Sequence, residues 1–468
     1  MRATADMKQP NTIPLTGYVD LLALNTACPQ RYPFLLESVS YHAAHGRFDI
    51  LFVSLSEQLS LSRQGKLDSN AINIENDRFL AHLDRWWSRE RRCRSAAEDL
   101  PFSGGWFLYL GYELAGQLEP TVAFQQDGQS CLPMAMAVRC PAAIIKDRRE
   151  RTSWLVCEAG YDKLMEQVLA DIDTAGRLES GHSVDVLSGL VEEDPAVYLD
   201  GVNRIKHYIR EGDVFQVNLS RAWRGSLTDE ASYEQIYRQL RQHNPAPFAG
   251  ICRFDGGAIL SSSPERLVRV DHRQRIETRP IAGTRPRGMT ARHDRALSQR
   301  LLAHPKEKAE HVMLIDLERN DLGRICRPGT IRVSELLSLE SYAHVHHIVS
   351  SVTGTLSPGV TPGQVIRAVF PGGTITGCPK IRCMEIIHEL EHVARGPYTG
   401  SAGYLNHDGS MDLNILIRTI VAEGRKITFR AGAGIVADSV AEKELDETRA
   451  KARGMTRAVC RQRERVSC

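Results

Sequence analysis

Aromatic side chains make up only 6% of the 468 residues, and net charge is nearly missing, because 59 basic and 57 acidic residues leave a formal +2. A charge this balanced excludes the basic surface of a nucleic-acid-binding protein and an acidic tail, so any anion recognition must be local. No run of about 18 apolar residues is present to span a membrane, and the N-terminus has no apolar core of signal-peptide type. The expectation is a cytoplasmic protein with neither membrane nor nucleic acid as partner. The eleven cysteines contain no CxxC pair and no Cys/His cluster at zinc spacing, and read as reduced, mostly structural thiols. A GxCxG nucleophile segment with a downstream His-Glu partner is also missing, which excludes hydrolysis of glutamine by the usual cysteine route. Long repeats and low-complexity tracts do not occur.

What is present is a 42% hydrophobic chain that can bury a large core. Its texture changes near residue 180. FDILFVSL (48–55) and GGWFLYLGYEL (104–114) read as strands, and DRWWSRERRCRSAAED (84–99) as a helix. TAGRLESGHSVDVLSG (174–189) lacks periodicity and reads as a linker, which divides the chain into residues 1–180, a structural half, and 190–468, a catalytic region. Beyond the linker, Tyr198, Val202, Ile205 and Ile209 mark an amphipathic helix that leads into VFQVNLS, a strand. ICRFDGGAILSSS predicts a hairpin turning at Asp255–Gly257, and residues 394–436 a meander of strands. With no regular βαβ alternation, the expected class is α+β, with mostly antiparallel sheets packed together and covered by helices.

Several segments carry chemistry. Two helices each place glutamates three apart, Glu307 with Glu310 and Glu444 with Glu447, so each pair lies on one face. Four carboxylates around an anionic ligand suit magnesium, which takes one or two protein carboxylates with substrate oxygens and water; solvated helix faces show the same spacing. AGAGIVADS lets backbone N–H groups approach a ligand at Gly432, Ala433 and Gly434, and Arg418 offers a planar fork for a carboxylate. TITGCPKIRC sets Pro379 just inside a helix and follows it with Lys380, giving a positive helix N-terminus suited to an anion or simply a capped helix. RPIAGTRPRG (279–288) surrounds a Gly-Thr pair with three arginines, Arg279, Arg285 and Arg287, that add positive potential.

GDVFQVNLS, SPERLV, RPIAGTRPRG, EHVMLIDLERNDLGR, VHHIVS, FPGGTITGCPKIRCMEII, GSAGYL, IRTI, GAGIVADS and ELDETRAKA stand in the order and spacing of the chorismate-utilising enzymes. The chain resembles that family strongly over residues 195–457, and more loosely before, through FLLES, GRFDILF and LPFSGG. The resemblance implies the chorismate-binding fold, with Gly283, Thr284, Tyr404, Arg418 and the backbone of Gly432, Ala433 and Gly434 contacting chorismate. It implies that Glu310 and Glu447 hold Mg2+, supported by Glu307 and Glu444, and that Glu265 and His347 carry protons near the ring.

Two positions bear on the reaction. Members that add water are similar to this chain but carry a lysine where Gln216 stands; an amide cannot take a proton from water, whereas ammonia needs no base. Ala282 occupies the place of a lysine in many aminodeoxychorismate synthases and matches the PIAGT of anthranilate synthases, while FPGGTITGCPK resembles the former. The chain thus looks most like component I of aminodeoxychorismate synthase, with anthranilate synthase component I as the near relative. Ammonia is expected from a separate glutamine amidotransferase subunit. In relatives FLLES lines a tryptophan pocket, which marks Ser38, with Pro247 and Phe248, as a candidate tryptophan site.

Overall fold

Many strands of this chain are apolar on both faces. Gly105–Leu110 is buried at every position and Ala142–Asp147 at all but one, so each must be covered on two sides. The computed structural model describes residues 10–40, 46–76, 78–92, 100–125, 128, 130–175, 187–229, 231–288, 290–341 and 345–460. It meets the requirement with two stacked antiparallel sheets that carry helices on their outer faces, as the α+β expectation has it.

The first sheet runs in the spatial order Asn11–Leu15, Thr152–Cys157, Ala142–Asp147, Phe48–Val53, Phe34–Glu37, Phe248–Phe254, Gly257–Ser263, Thr419–Glu423, Lys426–Ile435, Gln216–Leu227 and Leu187–Glu192. The second runs Ile281–Pro286, Val345–Thr355, Arg275–Thr278, Arg266–Val270, Met411–Asn414, Ser401–Asn406, Gly105–Leu110, Ala135–Cys140, Gln58–Leu61 and Leu67–Ser69. Strands from before and after the proposed linker share both sheets: Phe34–Glu37 pairs with Phe248–Phe254, and Gly105–Leu110 with Ser401–Asn406. Residues 176–186 of the linker lie outside the described residues. Between the sheets, Phe34 stacks on Phe107 with ring centroids 3.9 Å apart, and Phe52, Phe102, Ile259 and Leu416 fill the same layer.

The hairpin forms where Asp255 and Gly256 predict it, with Phe254 opposite Gly257 and Gly256 at φ 82°. Helix Pro195–Arg210 starts with Asp194 accepting the Ala196 N–H and buries Tyr198, Val202 and Ile205. Three expectations change. The helix expected over 84–99 spans Phe79–Glu90, and residues 93–99 fall outside the described ones. Pro379 is the N-cap of Lys380–Glu391 and stands just outside that helix. The meander is divided, since Ser401–Asn406 and Met411–Asn414 belong to the second sheet and Thr419–Glu423 and Lys426–Ile435 to the first. Period-two burial reports that a strand has faces but not which sheet receives it.

Candidate active site

The chain passes between the sheets twice in this region, once from Ser263 to Arg266 and once from Asn414 to Thr419. Each crossing carries an expected site residue, Glu265 in the first and Arg418 in the second. The crossings are tied together, because Ile415 N–H donates to the Glu265 carbonyl at 3.0 Å and the Ser263 hydroxyl to the Ile415 carbonyl at 2.5 Å. Glu265 is 4% exposed and accepts a 3.5 Å contact from Ile281 N–H. Burial lifts its carboxyl to about 7, against the opposing pull of the Thr374 hydroxyl, Ile281 N–H and Lys451. Glu265 therefore still holds its proton on a large share of molecules near neutral pH, where an exposed glutamate would hold almost none.

Arg418 adopts φ 52°, the left-handed turn that lets the strand leave one sheet for the other. Its hydrogen bond to Asn244 Oδ1 is 3.5 Å long, and among the described residues no carboxylate lies within ion-pair distance. A half-buried guanidinium without a carboxylate partner is suited to an anion brought by a ligand.

Gly283 forms a bulge in Ile281–Pro286 at φ 77°, where a side chain would stand 2.7 Å from Glu307 Oε2. Glycine is needed for both the angle and the space. Thr284 pairs with His347 across the strands, and the Gly283 backbone hydrogen-bonds that imidazole. His347 is 4% exposed; burial first, and then the cations Arg418 and Lys451, hold it near 3, so it is neutral at pH 7 and no acid there. Two arginines of the same stretch, Arg279 and Arg287, are already neutralised. Arg279 pairs with Glu340 at 2.6 Å and Glu335 at 2.8 Å, and Arg287 with Asp294 at 2.8 Å. For these two the expectation of positive potential is corrected: Arg279 is paired with glutamates 56 and 61 residues on, and Arg287 with an aspartate on the following helix.

Gly432, Ala433 and Gly434 lie opposite Ser220, Leu219 and Asn218. A side chain at Gly434 would meet Gln216 Nε2 at 2.3 Å, and one at Gly432 would meet Asn218 Oδ1 at 2.7 Å and the Tyr398 hydroxyl at 2.9 Å. The glycines thus make room for two amides and a phenol. Gln216 Oε1 and Asn218 Oδ1 are buried without a hydrogen-bond partner among the described residues. Sequence reasoning missed Asn218 and Tyr398; PYTGSAGY holds two tyrosines, and Tyr398 stands beside Gly432 whereas Tyr404 faces a different cavity. Lys380 Nζ is bound to Asp321 at 2.6 Å, so its positive charge serves helix Pro305–Gly323 and not a free anion site.

Glu307 and Glu310 come from helix Pro305–Gly323, Glu444 and Glu447 from Ala441–Val459. Glu307 reaches Gly283, and Glu447 binds Lys451 at 2.7 Å while Lys451 donates to the Gly432 carbonyl at 3.0 Å. Among the described residues no three Asp, Glu, His or Cys side chains converge into a metal cluster. The donor set still fits magnesium chemically, because that ion needs only one or two carboxylates when substrate and water complete its shell.

The pattern of the chorismate binding enzyme family matches residues 38–457. This chain belongs to the chorismate-binding enzymes. Anthranilate synthase component 1 of Thermus thermophilus is 40% identical over 460 residues, 95% of each chain. Aminodeoxychorismate synthase component 1 of Bacillus subtilis is 39% identical over 393 residues, 80% of each chain. The crystal structure of anthranilate synthase component I from Streptococcus pneumoniae matches with a TM-score of 0.77 at 32% identity, covering 88% of this chain and 92% of that one.

This chorismate-binding enzyme has a cavity of about 450 Å³ between the sheets, lined by Leu36, Ser38, Pro247, Phe248, Tyr404 and Met411 among others. Ser38 donates to the Pro247 carbonyl at 3.1 Å, and its N–H binds Asp49 at 2.8 Å. Arg266 lies over the Phe248 ring at 5.0 Å and is held by Asp412. The cavity adjoins the site through the crossings: Arg266 follows Glu265, and Asn414 opens the segment that ends at Arg418. No helix of the described residues is long and apolar enough to cross a membrane.

Proposed function

We propose that this enzyme aminates chorismate with ammonia to 4-amino-4-deoxychorismate, the precursor of 4-aminobenzoate and folate, as component I of an aminodeoxychorismate synthase. Gln216 carries the amine reading. Its buried amide cannot take a proton from water, and its unpartnered oxygen can accept an N–H from ammonia. Lys451, a neighbouring base by residue type, is engaged by Glu447 and the Gly432 carbonyl. In the reaction a C–N bond forms at the ring, the ring hydroxyl leaves as water with a proton from Glu265, and the incoming nitrogen gives up one proton. Arg418 and the backbone at residues 432–434 orient the substrate carboxylate. Ala282, 9% exposed, offers no amine to form a covalent adduct, so ammonia attacks directly.

Glu310 and Glu447 would hold Mg2+, with Glu307 and Glu444 beside them, and the ion would neutralise a substrate carboxylate. A separate glutamine amidotransferase subunit, acting in the cytoplasm, would release the ammonia. The second reading is anthranilate synthase component I, favoured by Ala282 and by the relatives of that name. The products separate the two. Chorismate, an ammonium salt and magnesium should yield an aminated product that keeps its enolpyruvyl group, with turnover on glutamine only when the amidotransferase is added. Stoichiometric pyruvate with anthranilate would give the second reading, and glutamine turnover by the isolated chain would refute the partner.

Tryptophan is the ligand we propose for the cavity around Ser38, Pro247 and Phe248, whose apolar walls and buried polar rim suit an amphipathic aromatic. Calorimetry on ligand-free protein should show heat of binding with tryptophan, lost when Ser38→Tyr fills the cavity. No heat in the unsubstituted protein removes the assignment.

A further inference from the structure

Glu318 lies eight residues beyond Glu310 on the same helix and is 7% exposed. Among the described residues no cation closes an ion pair on it, and its hydrogen-bonding neighbour is the Thr278 hydroxyl. Two short segments each touch both this carboxyl and that of Glu265. Thr278 faces Glu318, and three residues later Ile281 turns its N–H to Glu265 Oε1. Gly373 stands so close that a side chain there would begin 3.7 Å from Glu318 Oε1, and the next residue, Thr374, turns its hydroxyl to Glu265. Both threonine hydroxyls are buried without a hydrogen bond of regular geometry among the described residues. Two buried acids and two uncommitted hydroxyls thus line one stretch of wall.

We infer that Glu318 is a positioning residue for Glu265: the two carboxyl groups, linked through the Thr278 and Thr374 hydroxyls, hold their protons as one unit, and Glu318 restores the proton that Glu265 gives to the leaving hydroxyl. This rests on the reading of Glu265 as the proton donor. The charges facing the unit do not favour two carboxylates. Asp321 bears on Glu318 from the same helix and binds both Lys380 and Arg324. Lys380, from helix Lys380–Glu391, acts on Glu318 as a cation already shared, and Lys451, from Ala441–Val459, acts on Glu265 from beside Glu447. From residues 275–278 and 373–375 the groups acting on the two carboxyls are the Thr278 and Thr374 hydroxyls. Losing both protons would leave like charges in a dry wall, so the pair titrates in two steps. Burial lifts Glu265 to about 7 and Glu318 to about 8. After Glu265 has donated, the Glu318 O–H passes its proton to the Thr278 hydroxyl, which passes its own to the Thr374 hydroxyl, whose proton goes to the Glu265 carboxylate. Glu318 is left as the carboxylate and regains a proton from water.

The pH dependence of kcat at saturating chorismate and free ammonia tests this in the full chain, with Glu318→Gln, Glu318→Asp and Glu265→Gln. The unsubstituted enzyme should hold its rate until the last shared proton is lost, near about pH 8, and Glu318→Gln should move that alkaline limb down by about one unit. Glu318→Asp should return the limb most of the way. An unmoved limb in Glu318→Gln, or a loss equal at every pH, overturns the inference. Full activity in Glu265→Gln would instead overturn the reading of Glu265 on which it rests. Should Glu318→Gln fail to fold, infrared absorption of protonated carboxyl groups in the unsubstituted protein decides. A band fading in two steps across about pH 5 to 9 supports the shared unit, and one already gone at about pH 6 overturns it.

Discussion

Glutamine in place of Glu265 lowers kcat for chorismate amination by about 10²–10⁴-fold, the usual contribution of a positioned general acid, and leaves KM for chorismate little changed. The substitution keeps shape and keeps an acceptor for Ile281 N–H, so it removes the proton and little else. The sign of the pH effect follows from burial. A carboxyl lifted to about 7 is a competent acid below that pH, and the proton it shares with Glu318 extends this towards about pH 8 before it is lost as pH rises, whereas an ordinary exposed glutamate would be spent near about 4.3. Steady-state kinetics beside a thermal melt checks the result. A variant that melts like the parent and keeps kcat within about threefold would remove Glu265 from the chemistry.

Loss of magnesium dependence is the second large effect. Glu310→Gln and Glu447→Gln should each abolish turnover at any practical magnesium concentration while the fold persists. Glu447 is half exposed, and its pair with Lys451 at 2.7 Å is of the kind worth about 0–1 kcal/mol, too little for its loss to unfold the protein. A dication that loses a charged ligand loses far more. Glu307→Gln and Glu444→Gln, one helix turn away in each case, should weaken magnesium binding by about 10–100-fold, as supporting groups do. Magnesium titration of turnover in the four variants measures this. Unchanged magnesium dependence in both Glu310→Gln and Glu447→Gln would remove the metal assignment.

The local pattern was legible where the cause was local. Apolar spacing in residues 198–209 specifies a helix, Asp255 and Gly256 a hairpin turn, and the three-residue spacing of the glutamates one helix face each. The charged groups were misread because their partners are remote in sequence. Lys380 looked like an open anion site until Asp321, 59 residues away, was found on its ammonium, and Arg279 is neutralised by Glu335 and Glu340. Asn218 and Tyr398 gave no signal of their own. Their significance comes from Gly432, which has no side chain and so lets both approach from different elements.

From its residues alone this chain declared its class, its antiparallel strands, its paired glutamates and a motif order that the family match over residues 38–457 bears out. These are properties of periodicity and of short contiguous segments, which each stretch of chain carries independently of the rest. The tertiary structure decided which of two nearby tyrosines stands beside Gly432, which cations are already paired, and that Glu265 and Arg418 sit where the chain changes sheets. It also decided the protonation of Glu265, because its surroundings include Thr374, Ile281 and Lys451 from three separate elements, and no single stretch of sequence contains them together.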